Sequence, residues 1–528
     1  MEMVYISTNM AKRKLSLSIR RRAHPVDHVE RLEGRQLLSA AAAPTALNGI
    51  SYAAGQTIEA ENFDKGGEGV AYHNPGRRNP ASQTYRADTT VGIVKAGINT
   101  RVPGGASNGR YVGYTSVGEW LDYSITVPVA GAYALGARVA DISAGATFHA
   151  TIDGTLSTSE LSIPHTPTWT SWHTVESKPI ALSAGSHVLR IAMDRSSAGV
   201  MSVGNYDSFI LVAIATSSNF DWKPGPASTE KQFEPRAAVV QGQLYTFGGY
   251  TAVNPFGAND TFQVYNPITN RWKNLGDMPI PQTHSGIAAD DATGMIYFVG
   301  GLRGLYPGTA TTDVWDYNTQ TNVWKRLPSL PEPLSAGSSA LVNGQLHYFG
   351  GNIGQRRDVD ETLHFVLDLN ALAKTGKATW QTAAPLPEIR DHAGAAVVNG
   401  KIYLLGGEVG HDTYHLQQSH SFCYDPATNT WTQIADMPIP RSHTEASTFV
   451  DNGKIIVAGG QADDYLATNS ALEYDPSVNR WYQLANLPIA LEGVIVQPIG
   501  NEVIVSGGYD GLNGLARNGT YIGVLPHV

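Results

Sequence analysis

From Leu121 onwards apolar Leu121, Tyr123, Ile125 and Val127 alternate with polar Asp122, Ser124 and Thr126, the period of a strand with one dry and one wet face. Trp120 falls in phase with the wet face. A large aromatic beside Asp122 needs a cover, either another part of the protein or a ligand. Further along, the apolar positions fall in short runs that each end on a glycine pair: LYTFGGY, IYFVGGL, LHYFGGN, IYLLGGE, IIVAGGQ and VIVSGGY. Short apolar runs bounded by glycine are strand-sized, and helix-breaking Gly and Pro are spread along the whole chain, so the pattern predicts an all-β protein. At 528 residues it needs two or more domains.

The second glycines of the pairs stand at 249, 301, 351, 407, 460 and 508, at intervals of 52, 50, 56, 53 and 48. Trp272, Trp324, Trp380, Trp431 and Trp481 follow five of the six pairs, usually after a segment such as VYNPITNRW or FCYDPATNTW, so each unit holds four short strands. The sixth unit has about twenty residues after its pair and no Trp of its own. NFDWKPGP, 219–226, stands before the first pair and looks like the last strand of the other units. These residues resemble the kelch repeat. The resemblance implies a six-bladed kelch β-propeller over 216–528, its ring closed by strand 219–226. In such a ring glycine lets adjacent blades approach and Trp fills the wedge between them.

Residues 46–215 have alternating strands, many turns and no repeat. The pieces IEAENF, YVGYTSVGEWLDYSITV, GAYALGARVA, TPTWTSWHTV, LSAGSHVLRI and NYDSFILV stand in the order of a family 6 carbohydrate-binding module, a β-sandwich of jelly-roll type. Sugar rings present apolar C–H faces and a rim of hydroxyls, so a site for them wants flat aromatics with a few amide or carboxylate partners. In the resembling family a cleft at the loop end stacks a sugar between a Tyr and a Trp, with an Asn on a hydroxyl; these fall on Tyr114, Trp169 and Asn205. A second cleft, used by some members, centres on the position of Trp120, so a sugar chain is one candidate cover for that residue. The loop HNPGRRNPASQTYR, 73–86, is the other. Glu59 and Glu61 alternate in IEAEN, so their carboxylates are expected on one side of a strand; with Asp207 they match the family's structural calcium site.

Net charge is −9, but the first 36 residues hold eight Lys or Arg against four acids, leaving the tail at +4 and the body at −13. An acidic body argues against a nucleic-acid partner. Cys423 is the only cysteine, so intrachain disulfides and thiolate metal clusters are excluded. No apolar run reaches the roughly 18 residues of a membrane span. The segment HVERLEGRQLLSA, 28–40, resembles the bacterial N-terminal signature Leu-Glu-Pro-Arg-x-Leu-Leu, with Gly34 in place of Pro. The resemblance implies that residues 1–45 are a targeting segment of an extracellular or cell-surface bacterial protein.

Arg236, His284, His392, His443 and Glu492 each precede a blade's innermost strand, and NIGQRRDVDE and EVGHDTYHLQQSH bring Arg356, Arg357, His411, Asp412 and His415. Both kinds of connection emerge on one face of an up-and-down blade, so these groups are expected around one central mouth, able to bind an anionic sugar or move protons. Three readings compete for it. Six-bladed kelch propellers include a sialic acid mutarotase, which would make the mouth an active site. Carbohydrate oxidases join a sugar-binding sandwich to a kelch propeller, but with seven blades and a copper site using a Tyr–Cys crosslink; six blades and a sole Cys in SFCYD do not match. The third reading, a scaffold or docking surface for a protein partner, is ranked first. Asp463 and Asp464 are adjacent in a loop and are not assigned as a hydrolytic pair. No catalytic residue is assigned, and the chain reads as a binder of polysaccharide or oligosaccharide.

Overall fold

A computed structural model describes residues 43–76, 85–96, 109–215, 220–250, 256–353, 360–411, 416–462, 466–510 and 516–525. Residues 1–42, which hold most of the segment expected to be a targeting leader, most of the loop 73–86, and Arg356, Arg357, Asp412, His415, Asp463 and Asp464 lie outside the described residues. None of the described helices is long and apolar enough to cross a membrane.

The first module is a sandwich of two sheets. In one, Trp120–Val127 lies between Tyr52–Ala53 and Gly185–Arg195, followed by Thr147–Ile152 and Leu161–Ser162. In the other, Gly131–Ala140 pairs with Asn205–Ile214, which also takes Ile58–Glu59 and Arg110–Val112 on its far edge. Leu121, Tyr123, Ile125 and Val127 point into a core with Phe148, Leu189, Ile191, Tyr206 and Phe209, as their period requires.

Six four-stranded blades follow, each built around a glycine pair, five as separate sheets and the fifth continuous with a sheet of the sandwich. The first runs Arg236–Val240, Gln243–Phe247, Thr261–Asn266, Arg271–Asp277 from inner to outer strand. Both glycines of every pair have positive φ, 54° to 67° for the first and 85° to 118° for the second. A Cβ at Gly248, Gly300, Gly350 or Gly406 would stand within 2.7 Å of a backbone oxygen of the next blade. Here the requirement for glycine is double, left-handed backbone and bare contact. The second glycine then donates its N–H across the seam: Gly249, Gly301, Gly351, Gly407 and Gly460 to the carbonyls of Gln282, Leu334, Arg390, Arg441 and Leu491, at 2.8–3.3 Å. Gly508 donates to Gln232 at 3.0 Å and so joins the sixth blade to the first.

The sixth blade takes its outer strand from the front of the chain, Lys223–Gly225 pairing antiparallel with Thr520–Val524. Trp222 is that blade's tryptophan. Its indole N–H donates to Asn486 O, as Trp272, Trp380, Trp431 and Trp481 donate to Pro226, Pro328, Ala384 and Ala435 in the blade before each. Phe220 is buried in the core between the fifth and sixth blades.

Two features go beyond the all-β pattern. The 56-residue interval contains a short α-helix, Leu369–Thr375, started by Asp368, whose side chain accepts from Ala371 N, and stopped by Gly376 at φ 70°. The sandwich and propeller are also joined by backbone. The last residues of Asn205–Ile214 pair in parallel with the outer strand of blade five, Ala213 with Tyr482 and Ile214 with Gln483, and Gln483 Nε2 donates to Glu176 at 2.7 Å.

The closing strand generates a prediction. A chain beginning at Glu234 leaves Thr520–Val524 as an unpaired edge and should be less soluble than one beginning at Ala215. Phe220→Ala in the full chain should cost about 3 kcal/mol by emptying a buried site. Thermal melts with light scattering check both; unchanged curves would mean that residues 219–226 do not hold the ring shut.

Candidate functional site

Tyr114 lies just beyond Arg110–Val112 in a left-handed turn, φ 56°, and is 63 % exposed. Trp169 is half-buried in the loop ahead of His173–Glu176. Asn205 connects the two. Its Nδ2 donates to Trp169 O at 2.7 Å, and its Oδ1 lies 2.8 Å from where a Cβ on Gly113 would stand. The three residues expected together are thus brought to one loop end, with Asn205 buried and tying the two loops. Beneath them Trp172 is fully buried edge-on to Tyr111, ring centroids 5.3 Å apart, and burial together with the Tyr114 phenol pushes the Tyr111 hydroxyl up. Thr166 fixes the Trp169 loop, its hydroxyl bridging Asp141 O and Thr168 O, and Thr168 and Ser171 hydroxyls meet at 2.8 Å. Residues 97–108, which follow Ile93–Lys95, lie outside the described residues.

Trp120 has a cover that neither sequence-based candidate included. The Arg190 guanidinium stands 3.5 Å from its ring centroid. Arg190 is held there by Asp122, which accepts from Nε at 2.6 Å and from Nη2 at 2.8 Å. Asp122 was expected to be wet and is buried; burial raises its carboxyl, and the Arg190 bonds oppose that. On the other side His73, the first residue of the loop 73–86 that was one expected cover, pairs with Trp120 across the strands, rings 6.3 Å apart. Ala192 separates Trp120 from His149, which meets Asp194 at 2.7 Å, so this sheet face is a polar surface around one half-buried indole. Next to it Glu119 is buried, with Oε2 accepting from Ser116 N, and burial pushes its carboxyl up to about 8.

Glu59, Glu61 and Asp207 gather at the sandwich edge, but not as one strand face. Glu59 lies opposite Ser208, adjacent to Asp207, whereas Glu61 is in the 3-10 turn Ala60–Asn62. The strand ends there because the buried Tyr123 hydroxyl takes the carbonyl of Ala60 at 2.7 Å. Burial raises the Tyr52 hydroxyl, a hydrogen bond with Asn62 opposes that, and the charges of Glu59 and Glu61 add to the rise. Glu61 and Asp207 are fully buried, and Arg138 Nη1 meets Asp207 Oδ2 at 2.6 Å.

The propeller residues converge, but the expected open mouth is a closed hub. Arg236, His284, His392, His443 and Glu492 are each between 1 % and 5 % exposed. One residue per blade, namely Glu234, His284, Ala336, His392, His443 and Gly493, takes a left-handed φ of 48° to 58°. Backbone N–H groups link neighbours around the axis, Ala336 to His284 O, His392 to Ala336 O and His443 to His392 O, at 2.9–3.0 Å. This ring draws the side chains inward until the imidazoles touch. His392 stacks on His443 with centroids 4.0 Å apart and on His411 at 5.1 Å, with His284 edge-on at 4.9 Å.

Acids unrecognised in the sequence complete the hub. Glu234 bridges His284 Nε2 at 3.0 Å and His443 Nε2 at 3.4 Å; burial opposes its charge, yet the two imidazoles hold the carboxyl well below the usual range. Glu445 accepts from Arg236 Nη2 and meets His392 Nδ1, both at 2.8 Å. It stands in a segment of blade five two residues longer than in blade four, His443 to Gly459 against His392 to Gly406. Glu408 meets the Ser442 hydroxyl at 2.8 Å, and Asp391 meets His411 Nδ1 at 2.8 Å. Burial pushes the Glu492 carboxyl up to about 7, with its Oε2 accepting from Gln461. Glu234 had a sequence signal. Counting fourteen back from the first glycine of a pair reaches Glu234, Ala336, His392 and Gly493 alike, whereas in blades two and five the same count lands on Gly286 and Glu445, two residues past His284 and His443. Below the ring, Arg236 and Glu445 line a cavity of about 40 Å³ with Ser338 and Ser339.

Comparison with known proteins accords with both halves. Residues 83–213 match Carbohydrate binding module (family 6). Residues 329–508 match the KLHDC2/KLHL20/DRC7 Kelch-repeats domain, and 234–279 and 284–331 each match a Kelch motif. Among curated proteins, similarity is 31 % identity over 230 residues with Kelch-like protein terF of Aspergillus terreus, 42 % of this chain and 48 % of that one. It is 27 % over 244 residues with Kelch-like protein 23 of Homo sapiens, 45 % of this chain and 39 % of that one. The chain thus spans about half the length or less of these relatives. A solved structure, that of YjhT, aligns with a TM-score of 0.46 at 17 % identity, over 56 % of this chain and 95 % of its own. The chain is a family 6 carbohydrate-binding module followed by kelch repeats that form a kelch domain.

Proposed function

We propose that this is an exported or cell-surface bacterial protein whose sandwich binds a neutral or weakly acidic polysaccharide between Tyr114 and Trp169, with the propeller as scaffold or docking surface. The observation that carries the reading is that Asn205 ties the Trp169 loop to the turn that carries the 63 % exposed Tyr114. An exposed ring in a turn held by buried bonds is pre-organised, and stacking then costs little ordering. Asn205 acts here chiefly by positioning Trp169. Burial of the hub histidines and of Arg236 supports the scaffold role over a sugar-isomerising mouth, since substrate needs an entry.

Calcium is the metal that fits Glu59, Glu61 and Asp207. The donors are hard oxygens, two of the carboxylates are fully buried, and a divalent ion would offset their charge together with the Arg138 guanidinium. Its role would be to pin the turn Ala60–Asn62 to the last strand.

The test is titration calorimetry of the full protein with one short and one long ligand chosen from a glycan array. Trp169→Ala should weaken both roughly tenfold or more while the fold persists; wild-type affinity in this variant would sink the cleft. Trp120→Ala should weaken only the long ligand if the Trp120–Arg190 face is a second platform. A lower melting temperature with both affinities unchanged would assign Trp120 to packing instead. Chelation should lower the melting temperature and leave sugar affinity at 25 °C unaltered, and Glu61→Gln should abolish the response to added calcium. A melt in the wild type that ignores calcium removes that site.

A further inference from the structure

The hub carries an inference apart from sugar binding. Asp391, His392, Glu408 and His411 each offer a nitrogen or carboxylate oxygen, all four within 4.8 Å of one another, and all four residues are buried. His284 joins His392 and His411 in a second such group that shares the same centre. We propose that the hub of the propeller binds a divalent transition metal of the zinc class through His392, His411, Asp391 and Glu408, with His284 at its open side.

Three features of the hub support this site. The donor set is two imidazoles and two carboxylates with no thiolate, which suits zinc and its first-row neighbours and is too rich in nitrogen for calcium. The backbone holds the donors on rigid parts, because Asp391 N donates to Glu408 O at 3.0 Å and Glu408 N to Asp391 O at 2.9 Å, so the two acids sit on one bridged pair. An outer carboxylate is also in place. Glu445 lies 2.8 Å from His392 Nδ1, the kind of outer contact that orients a ligating imidazole, and it leaves Nε2 as the nitrogen that would take the metal. Asp391 and Glu408 are both buried, and a doubly charged ion would offset their charge together with the His443 ring that faces Glu408. The ion would brace the ring where the inner connections of blades two and four meet, a structural role that needs no substrate access.

The experiment uses the full-length, tag-free protein, stripped with a strong chelator and returned to buffer holding excess calcium so that oxygen sites are filled. Zinc titration should then show one tight site per chain, raise the melting temperature, and be competed by cobalt, whose visible absorption should report nitrogen and oxygen donors. Glu445→Gln should lower zinc affinity roughly ten- to hundredfold, and His411→Gln should remove the site while sugar affinity remains as in the wild type. Stripped wild-type protein that is folded by circular dichroism and takes up neither ion overturns the proposal, as does undiminished zinc binding in His411→Gln. Should His411→Gln fail to fold, the cobalt spectrum of the wild type decides, and a spectrum of oxygen donors alone overturns the assignment.

Discussion

The contact on which the propeller depends is the backbone-to-backbone seam at each glycine pair. At the first four pairs the first glycine brings its Cα so near the carbonyl of the next blade that a methyl group has no room, and at all six the second places an N–H on that carbonyl. Because the seam is made of main chain, its geometry repeats whatever the neighbouring side chains are. The side chain on the capping residue varies accordingly: Gln232 and Gln282 reach the carbonyls of Gly248 and Gly300, and Arg390 and Arg441 those of Gly406 and Gly459. Closing the ring by Gly508 and Gln232, with Lys223–Gly225 on the outside, removes the free edges a linear stack would leave.

The hub follows from the seam. Two residues after each capped carbonyl the chain is in the left-handed region and at the axis, so the side chain at that position projects into the ring. Ala336 and Gly493 fill two of the six places with almost nothing, and this makes room for the three imidazoles and Glu234 of the others. The sandwich is attached by the same kind of interaction, main chain pairing in Ala213–Tyr482 and Ile214–Gln483. A direct strand-to-strand attachment leaves the Tyr114–Trp169 loop end on a rigid support rather than on a free tether.

Much of this was legible because strand period, glycine pairs and repeat spacing are local signals. The alternation at 121–127 gives the dry face correctly, and the unit missing its Trp identifies Trp222 at the front as its complement. The residues proposed for the sugar cleft come from the resemblance, but the bond from Asn205 to the Trp169 carbonyl was not legible, since it joins loops 36 residues apart. Asp122 was misread as wet because its partner Arg190 lies 68 residues on. Glu61 was misread as a strand residue because the Tyr123 hydroxyl that ends the strand at Ala60 is 63 residues away.

The sequence by itself determined the all-β class, the two modules, the six units and the strand that completes the ring, because each rests on residues within one unit or on the spacing between units. Tertiary structure alone decided whether the polar residues before the inner strands would form an open mouth or a sealed hub. That outcome depends on pairings such as Arg236 with Glu445, 209 residues apart, and on which side chains face each other across the axis. A charge is buried or wet according to its partner, and in a closed ring the partner comes from another blade, where no local period can reach.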